Sequence, residues 1–295
     1  MINISKYSYS GIRNLIDVER NLFDFVVLFI SSWGIFWLAY NDNPAGILYT
    51  YLFIYSIIIL FLYIFWTKDS SHSTEIPISQ SMHHSITFYI FGWLIPIFLY
   101  LIFSFKTSSL FIPLKFTAQS LQTFESLTIS ASKFWQFFIT VWTAGTIEGW
   151  VAGFAIVASG ILIGRFVRQI FSLDFSKSGN KWFDFSIAMI VSVIFFVVMH
   201  SFNQSYNNYT MFFIAGIFKL VENIGIYVLN LMISFAFGFH QSNNAIFLGL
   251  NNVWQGLSSS IGGIIIMGFW ALILFYFFKN IKHLPKIFKN LEIRL

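Results

Sequence analysis

The sequence predicts an all-α integral membrane protein, a polytopic helix bundle with about eight transmembrane helices. Apolar and aromatic residues make up 57% of its 295 positions and charged residues 10%, whereas about a quarter of a soluble domain is charged. The apolar residues fall in runs of about 18 or more, the length that crosses the hydrocarbon core of a bilayer. The 39 Phe, 13 Tyr and 10 Trp add more apolar surface than a chain of this size can bury without lipid.

Eight predicted spans follow from these runs, and residues 1–295 are treated as one transmembrane domain. The fifth and seventh spans contain polar side chains, and the sixth is short and ends before Glu222. In chain order the spans are 22–40, 46–66, 86–105, 134–163, 183–202, 209–221, 224–250 and 261–278. The connection 106–133, in which apolar residues alternate with Ser, Thr and Gln, is expected to lie along the membrane surface.

The distribution of basic residues predicts the orientation, because short cytoplasmic loops contain an excess of Lys and Arg. With the N-terminus inside, fourteen of the seventeen basic residues fall on the cytoplasmic side, Lys219 among them, and only Lys106, Lys115 and Lys133 fall outside. Both termini are therefore expected in the cytoplasm. The first twenty residues lack the short apolar core and cleavage site of a signal peptide, so the first span is expected to act as the insertion signal.

Composition also excludes several classes of function. The chain has no cysteine, which excludes disulfides, thiolate nucleophiles and Cys-ligated metal sites. The net charge of +5 comes from residues at helix ends, where anionic lipid headgroups attract them. The expected surroundings are therefore the lipid bilayer and membrane-associated partners, and no nucleic-acid partner is expected.

Four polar side chains inside the predicted spans are the candidate functional residues: Glu148, His200, His240 and Asn244. An ionisable group in the hydrocarbon costs about 2.5 to 3.5 kcal/mol on insertion scales, so those that occur usually face the bundle interior. His240 and Asn244 are four residues apart and share one helix face. At 1.5 Å per residue both histidines are expected roughly 25 Å above the inner ends of their helices, close to the level of Glu148. All four are expected to line one cavity.

The residue types leave several interpretations open. A single intramembrane His or Asn often makes a hydrogen bond between helices. Two imidazoles and a carboxylate, from Glu148, His200 and His240, also suit a zinc ion with water as its fourth ligand; no other cofactor is expected. Intramembrane Glu and His can relay protons in a transporter, with NQSYNN and NNVWQ lining the path, although the sequence has no inverted repeat.

The order of three motifs indicates a family. Glu148 is followed by FxxxH, from Phe196 to His200, and then by HxxxN, from His240 to Asn244, each on a separate predicted helix. Over roughly residues 134–260 the sequence thereby resembles the CAAX prenyl endopeptidase and bacteriocin-processing (CPBP) family of intramembrane proteases. The resemblance implies hydrolysis of a peptide bond in a membrane-embedded or lipidated substrate, without a metal. It implies that Glu148 and His200 activate a water and that His240 and Asn244 stabilise the oxyanion.

The first motif of that family departs from its pattern here. The family has two adjacent glutamates and an arginine four residues after the second, and this sequence has Glu148, Gly149 and Gly153 at those positions. Gly149 and Gly153 form a GxxxG step, as do Gly160 and Gly164, and such steps allow membrane helices to pack closely. The alternative function is therefore that of a catalytically inactive homologue, a membrane scaffold or partner-binding subunit.

Overall fold

A computed structural model describes residues 22–66, 78–106, 132–201, 209–228, 231–248 and 250–283; the side chains of several residues in these ranges, including His200, are not described. Every regular element in these ranges is helical, which confirms the all-α prediction. The expected surface segment, apart from its ends, and the first twenty residues, in which no signal peptide is expected, lie outside the described residues.

Nine helices run through the described ranges. Six of them, α1 to α5 and α9, are long and apolar enough to cross a membrane, so the chain is an integral membrane helix bundle. In chain order the nine are α1 (Leu22–Tyr40), α2 (Pro44–Trp66), α3 (Ile78–Lys106), α4 (Lys133–Ile170), α5 (Lys177–Ser201), α6 (Tyr209–Asn223, continued by a π-helical turn over Ile224–Val228), α7 (Met232–Leu248), α8 (Leu250–Ser258) and α9 (Ile261–Asn280).

The sixth and seventh predicted spans need correction. Residues 224–228 extend α6 instead of opening the next helix, so Glu222 lies inside α6 and α7 begins only at Met232. The run IGIYVLNLMI contains no polar turn residue except Asn230, so hydropathy does not reveal the break. His240 is consequently eight residues into α7, about 12 Å at 1.5 Å per residue, and the predicted 25 Å depth is wrong.

Lys219 also needs correction, because the orientation argument counts it among the loop residues. It lies within α6 and its side chain is fully buried. Hydropathy gives no indication of this, because a lysine beside a glutamate usually marks the end of a span. The excess of basic residues on one side of the predicted topology remains without it.

Two tight turns make α1 antiparallel to α2 and α4 antiparallel to α5. The first helix of each pair is followed, two residues after its end, by a residue in the left-handed conformation, Asp42 with φ 50° and Ser172 with φ 49°. The next backbone N–H then bonds to the carbonyl five residues earlier, from Asn43 to Leu38 at 3.0 Å and from Leu173 to Arg168 at 2.9 Å. This hydrogen-bond pattern satisfies carbonyls that a helix end leaves without partners.

Helices α3 and α7 cross with their backbones in contact. A Cβ atom placed on Gly238 would clash with the Tyr89 carbonyl oxygen, and one on Gly92 would clash with the Phe235 carbonyl oxygen. Small residues at a crossing allow this approach, which dispersion and interhelical hydrogen bonds stabilise in the absence of a hydrophobic drive. The crossing fixes the position of α7, the helix that contains His240.

A buried hydrogen-bond network joins α3, α4 and α7 next to His240. The Gln241 side-chain oxygen accepts from the Tyr89 hydroxyl and from Trp93 Nε1, the latter at 3.1 Å, and Gln241 Nε2 donates to Thr146 Oγ1 at 2.7 Å. All the polar atoms of the Gln241 amide therefore face partners on neighbouring helices. The network sets the rotation of α7 about its axis and, with it, the direction in which His240 points.

Candidate functional site

The backbone of α4 is specialised around Glu148. Residues Gly145–Trp150 form a short α-helical stretch between two π-helical segments, Phe138–Ala144 and Val151–Ala155. At a transition between α- and π-helical hydrogen bonding, a carbonyl can lose its partner within the helix and become available to another donor. Such segments are frequent at functional sites.

Three carbonyls of these π-helical segments accept hydrogen bonds from α6 and α7. Lys219 Nζ donates to the Ala152 oxygen at 2.7 Å, and Asn244 Nδ2 donates to the Thr140 oxygen at 3.1 Å. The Tyr227 hydroxyl donates to the Gly153 oxygen. The irregular backbone of α4 therefore holds both helices that bring charged or polar residues toward Glu148.

Glu148 and His240, two of the predicted site residues, lie together. Glu148 Oε2 is 3.9 Å from His240 Nδ1, and the other carboxylate oxygen of Glu148 accepts from the Tyr49 hydroxyl at 3.2 Å. A separation of 3.9 Å is too long for a direct hydrogen bond, but one water molecule can contact both atoms. The pair thus has the geometry to hold a water between a carboxylate and an imidazole.

His240 also contacts a carboxylate that the sequence analysis did not select. Its Nε2 lies 3.0 Å from Glu222 Oε2, and the same oxygen lies 3.1 Å from Lys219 Nζ. We call Lys219, Glu222, His240 and Glu148 the ionic chain. It runs from α6 through α7 to α4, and it places two carboxylates on opposite nitrogens of one imidazole.

Exposure changes steadily along the ionic chain. The side chain of Lys219 is 0% exposed and that of Glu222 1%, whereas His240 is 7% and Glu148 29% exposed. Uncompensated buried charges are costly, so members of such a cluster need oppositely charged or hydrogen-bonding partners. The ionic chain is therefore fully buried at Lys219 and partly exposed at Glu148, which makes Glu148 the member that an incoming molecule reaches first.

Of the other two predicted site residues, only Asn244 has a described side chain. Asn244 lies one helical turn beyond His240 on α7 and donates to the Thr140 carbonyl, which is the helix-to-helix bond considered as its alternative role. Among the described contacts, this bond uses one of its two amide hydrogens. His200 lies near the end of α5, four residues after Phe196, and its side chain is outside the described part. Phe196 itself packs edge-on against His240, with 5.8 Å between ring centroids.

Gly149 and Gly153, at the positions where the CPBP family has its second glutamate and its arginine, face close neighbours. A Cβ on Gly149 would lie 3.0 Å from the Ala236 carbonyl oxygen of α7, and one on Gly153 would lie 2.9 Å from Ile233 Cδ1 and 3.2 Å from Glu222 Oε1. The first of the two GxxxG steps, Gly149 to Gly153, is thus confirmed as a packing surface. Beside Gly153 the space is occupied partly by a carboxylate from α6.

No protein-family model, curated protein or solved structure matches this chain. Its function is accordingly argued from its own residues. Among the side chains that the structure describes, no group of three His, Asp or Glu residues could hold a metal ion. Because the His200 side chain is outside that set, the zinc hypothesis for Glu148, His200 and His240 stays a prediction.

Sequence reasoning missed Lys219, Glu222 and Tyr49. Lys219 and Glu222 are three residues apart with opposite charges, a spacing that places them side by side on one helix face. In a loop that spacing means little, but inside an apolar segment it indicates a buried ion pair. Tyr49 has no comparable signal, because it is one of several tyrosines along α2.

Proposed function

We propose that the protein is an intramembrane endopeptidase-like hydrolase of the CPBP type, which cleaves a peptide bond of a membrane-associated substrate with an activated water. The observation that supports it is the alignment of Glu148, His240 and Glu222, in which one imidazole lies between two carboxylates and only Glu148 is accessible. An imidazole oriented by a buried carboxylate is a general base in hydrolases on unrelated folds.

In the proposed mechanism a water lies between Glu148 Oε2 and His240 Nδ1. The Nε2 hydrogen of His240 is donated to Glu222, so Nδ1 presents its lone pair and takes a proton as the water attacks the carbonyl carbon. The proton then passes to the leaving amine as the C–N bond breaks. This differs from the resemblance, which assigns His240 to the oxyanion; Asn244 keeps that role through its remaining amide hydrogen.

A cleavage assay on purified protein in detergent tests the proposal. The probes are an internally quenched peptide with a C-terminal farnesyl group and the same peptide without it. We expect cleavage of the farnesylated peptide and its loss in Glu148→Gln and His240→Ala, while Asp174→Asn, at an exposed carboxylate on the connection after α4, retains it. Cleavage by folded Glu148→Gln and His240→Ala at the normal rate contradicts the proposal.

A scaffold or partner-binding subunit is the second candidate, and the packing at Gly149 and Gly153 favours it. Both positions face α7 or α6 at close range, so the segment that is catalytic in the family serves here in helix packing. This function predicts that Glu148→Gln and His240→Ala leave association with a membrane partner unchanged. Gly153→Leu, which would displace Ile233 and Glu222, is expected to abolish it.

We further propose that both termini face the cytoplasm, as the positions of the basic residues suggest. Because the natural chain has no cysteine, single substitutions report accessibility cleanly. Ser71→Cys, between α2 and α3, is expected to react with an impermeant maleimide only in inverted vesicles, and Ser108→Cys, between α3 and α4, only in intact cells. The opposite pattern contradicts this orientation.

A further inference from the structure

Lys219 is a charged residue inside the described bundle whose burial needs an explanation. Its side chain is completely buried, and its Nζ contacts the Ala152 carbonyl oxygen at 2.7 Å and Glu222 Oε2 at 3.1 Å. The Phe196 ring lies 6.0 Å from the same nitrogen. An apolar pair of similar volume at positions 219 and 222 would commonly be as stable as this ion pair. The pair therefore suggests a role other than holding the fold together.

We infer that Lys219 and Glu222 are positioning residues, which hold His240 as its Nε2–H tautomer and direct the Nδ1 lone pair toward Glu148. The effect on cleavage that this inference predicts rests on the proposed function. The predicted tautomer of His240 does not, because the tautomer is a property of the protein without substrate. The two consequences can be measured separately.

The shared oxygen of Glu222 connects the two residues. Oε2 receives both the Lys219 ammonium and His240 Nε2, whereas Oε1 has no hydrogen-bond partner among the described atoms. A carboxylate only accepts hydrogen bonds, so the nitrogen that faces it must bear the hydrogen. The ammonium balances the negative charge of Glu222, and its own bond to Ala152 fixes where the carboxylate sits. The proton on Nε2 is thereby determined from α6, a helix that contributes nothing to the accessible end of the ionic chain.

Aromatic rings restrict the orientation of the imidazole. Phe196 packs edge-on against His240 at 5.8 Å, and Phe239 packs edge-on against it at 6.4 Å. Phe196 belongs to α5 and Phe239 to α7, so the imidazole is covered from two helices. With Nε2 at Glu222, Nδ1 is the nitrogen nearest to Glu148. Each nitrogen has a separate neighbour, as in the hydrolases where a buried carboxylate sets the histidine tautomer.

Nitrogen-15 NMR of the full-length protein, with labelled histidine and in lipid nanodiscs, tests the inference. The chain has six histidines, and the His240 signals are those lost in His240→Gln. We expect one protonated ring nitrogen, Nε2, and an unprotonated Nδ1 in the natural protein. An Nδ1–H tautomer in the natural protein overturns the inference.

Two double variants separate positioning from folding. Glu222→Leu with Lys219→Met replaces the ion pair by apolar side chains, and we expect a mixture of tautomers and a kcat about 10- to 100-fold lower with KM unchanged. Glu222→Gln with Lys219→Leu retains an accepting oxygen for Nε2, so we expect the natural tautomer and most of the cleavage rate. Retention of a single Nε2–H tautomer in the Glu222→Leu, Lys219→Met variant overturns the inference. If that variant does not fold, loss of the Nε2–H tautomer in the Glu222→Gln, Lys219→Leu variant overturns it.

Ser192→Ala is the matched control. Ser192 accepts from Asn223, the neighbour of Glu222 on α6, at 3.1 Å, and no described contact joins it to His240. We expect the natural tautomer and the natural cleavage rate, and a change of tautomer in this variant overturns the assignment of positioning to Lys219 and Glu222. If the natural protein cleaves neither peptide but shows the Nε2–H tautomer, the proposed function fails while the positioning of His240 stands.

Discussion

The two halves of α4 each face a buried ionic cluster, and the clusters differ in how completely their charges are paired. Toward the C-terminal end, Asp184 of α5 accepts two hydrogen bonds from Arg168, at 2.7 and 2.8 Å, and lies 3.7 Å from Arg165. Around Glu148, by contrast, the ionic chain has one accessible carboxylate and, at Glu222 Oε1, an acceptor without a described partner.

This difference distinguishes the Asp184 cluster, which holds helices together, from the ionic chain, which is suited to catalysis. Both carboxylate oxygens of Asp184 are used by the fork of one guanidinium, a geometry that gives strong and directional pairing. In the ionic chain, by contrast, acceptor oxygens remain, because Glu148 is partly exposed and Glu222 Oε1 has no described partner. Changes at Asp184 should therefore alter stability first, and changes around Glu148 should alter activity first.

The largest effect on stability is expected from Asp184→Ala. The carboxylate is 1% exposed, and its removal takes an ionic partner away from Arg168 and Arg165, whose side chains are buried to about four-fifths. Breaking a buried ion pair at one partner costs about 3 to 5 kcal/mol. Denaturant unfolding in detergent, followed by circular dichroism, should show this loss, whereas Asp174→Ala at an exposed position should leave the midpoint unchanged. A natural midpoint for Asp184→Ala would show that the cluster does not stabilise the bundle.

A somewhat smaller loss is expected from Gly160→Leu, at the crossing of α4 and α5. A Cβ at Gly160 would lie 2.5 Å from the Ala188 Cα, so the two helices must separate to accept a side chain. Overpacking of this kind costs about 3 kcal/mol at the upper end of its usual range. Gly268→Leu is the matched control, because a Cβ at Gly268 meets no described atom within 4 Å. Equal unfolding midpoints for the two variants would contradict the close crossing.

The two arginines should differ in their contributions. Arg168→Gln removes the bidentate pairing and is expected to lower the free energy of unfolding by about 2 kcal/mol. Arg165→Gln removes the longer, 3.7 Å contact with Asp184 from a partly exposed side chain, so a loss below about 1 kcal/mol is expected. Comparison of both variants in the same denaturant series tests the ranking, and the reverse order would place the main partner of Asp184 at Arg165.

A similarly small effect on stability is expected at the accessible end of the ionic chain. Tyr49→Phe removes one hydrogen bond to Glu148 and should lower the free energy of unfolding by only about 1 kcal/mol. Because the hydroxyl orients the Glu148 carboxylate, cleavage of the farnesylated peptide should nevertheless fall measurably. Tyr55→Phe, which loses the 2.6 Å contact with Ser159, is the control and should retain the natural rate. A drop in stability without a drop in cleavage would assign Tyr49 to the fold alone.

Hydropathy was sufficient to predict the class of fold and most of the spans, because lipid imposes a minimum length on every crossing helix. It did not predict the break between α6 and α7, because the sequence on both sides of that break is apolar. The shift of that break from residue 224 to Met232 changed the depth of His240 and placed Glu222 inside the bundle. Hydropathy therefore predicted which helices exist better than it predicted where a given residue lies within its helix.

The candidate site was predictable only where a single polar residue interrupts an apolar run. Glu148 and His240 were selected because they interrupt apolar runs, and the structure places them 3.9 Å apart. Lys219 and Glu222 were not selected, since a charged pair in a sequence is ordinarily evidence of solvent. Whether an ion pair is buried depends on which helices surround it, and that information is tertiary.

The π-helical segments on either side of Glu148 have a consequence for how the chain tolerates change in length. A π-helical segment accommodates about one residue more than the α-helix that it interrupts, so a single-residue deletion within Phe138–Ala144 or Val151–Ala155 can restore regular α-helix without rotating its flanks. Such a deletion would instead remove the irregular carbonyls that accept hydrogen bonds from Lys219, Tyr227 and Asn244. Natural variants of this chain should accordingly accept substitutions in these two segments far more readily than shortening.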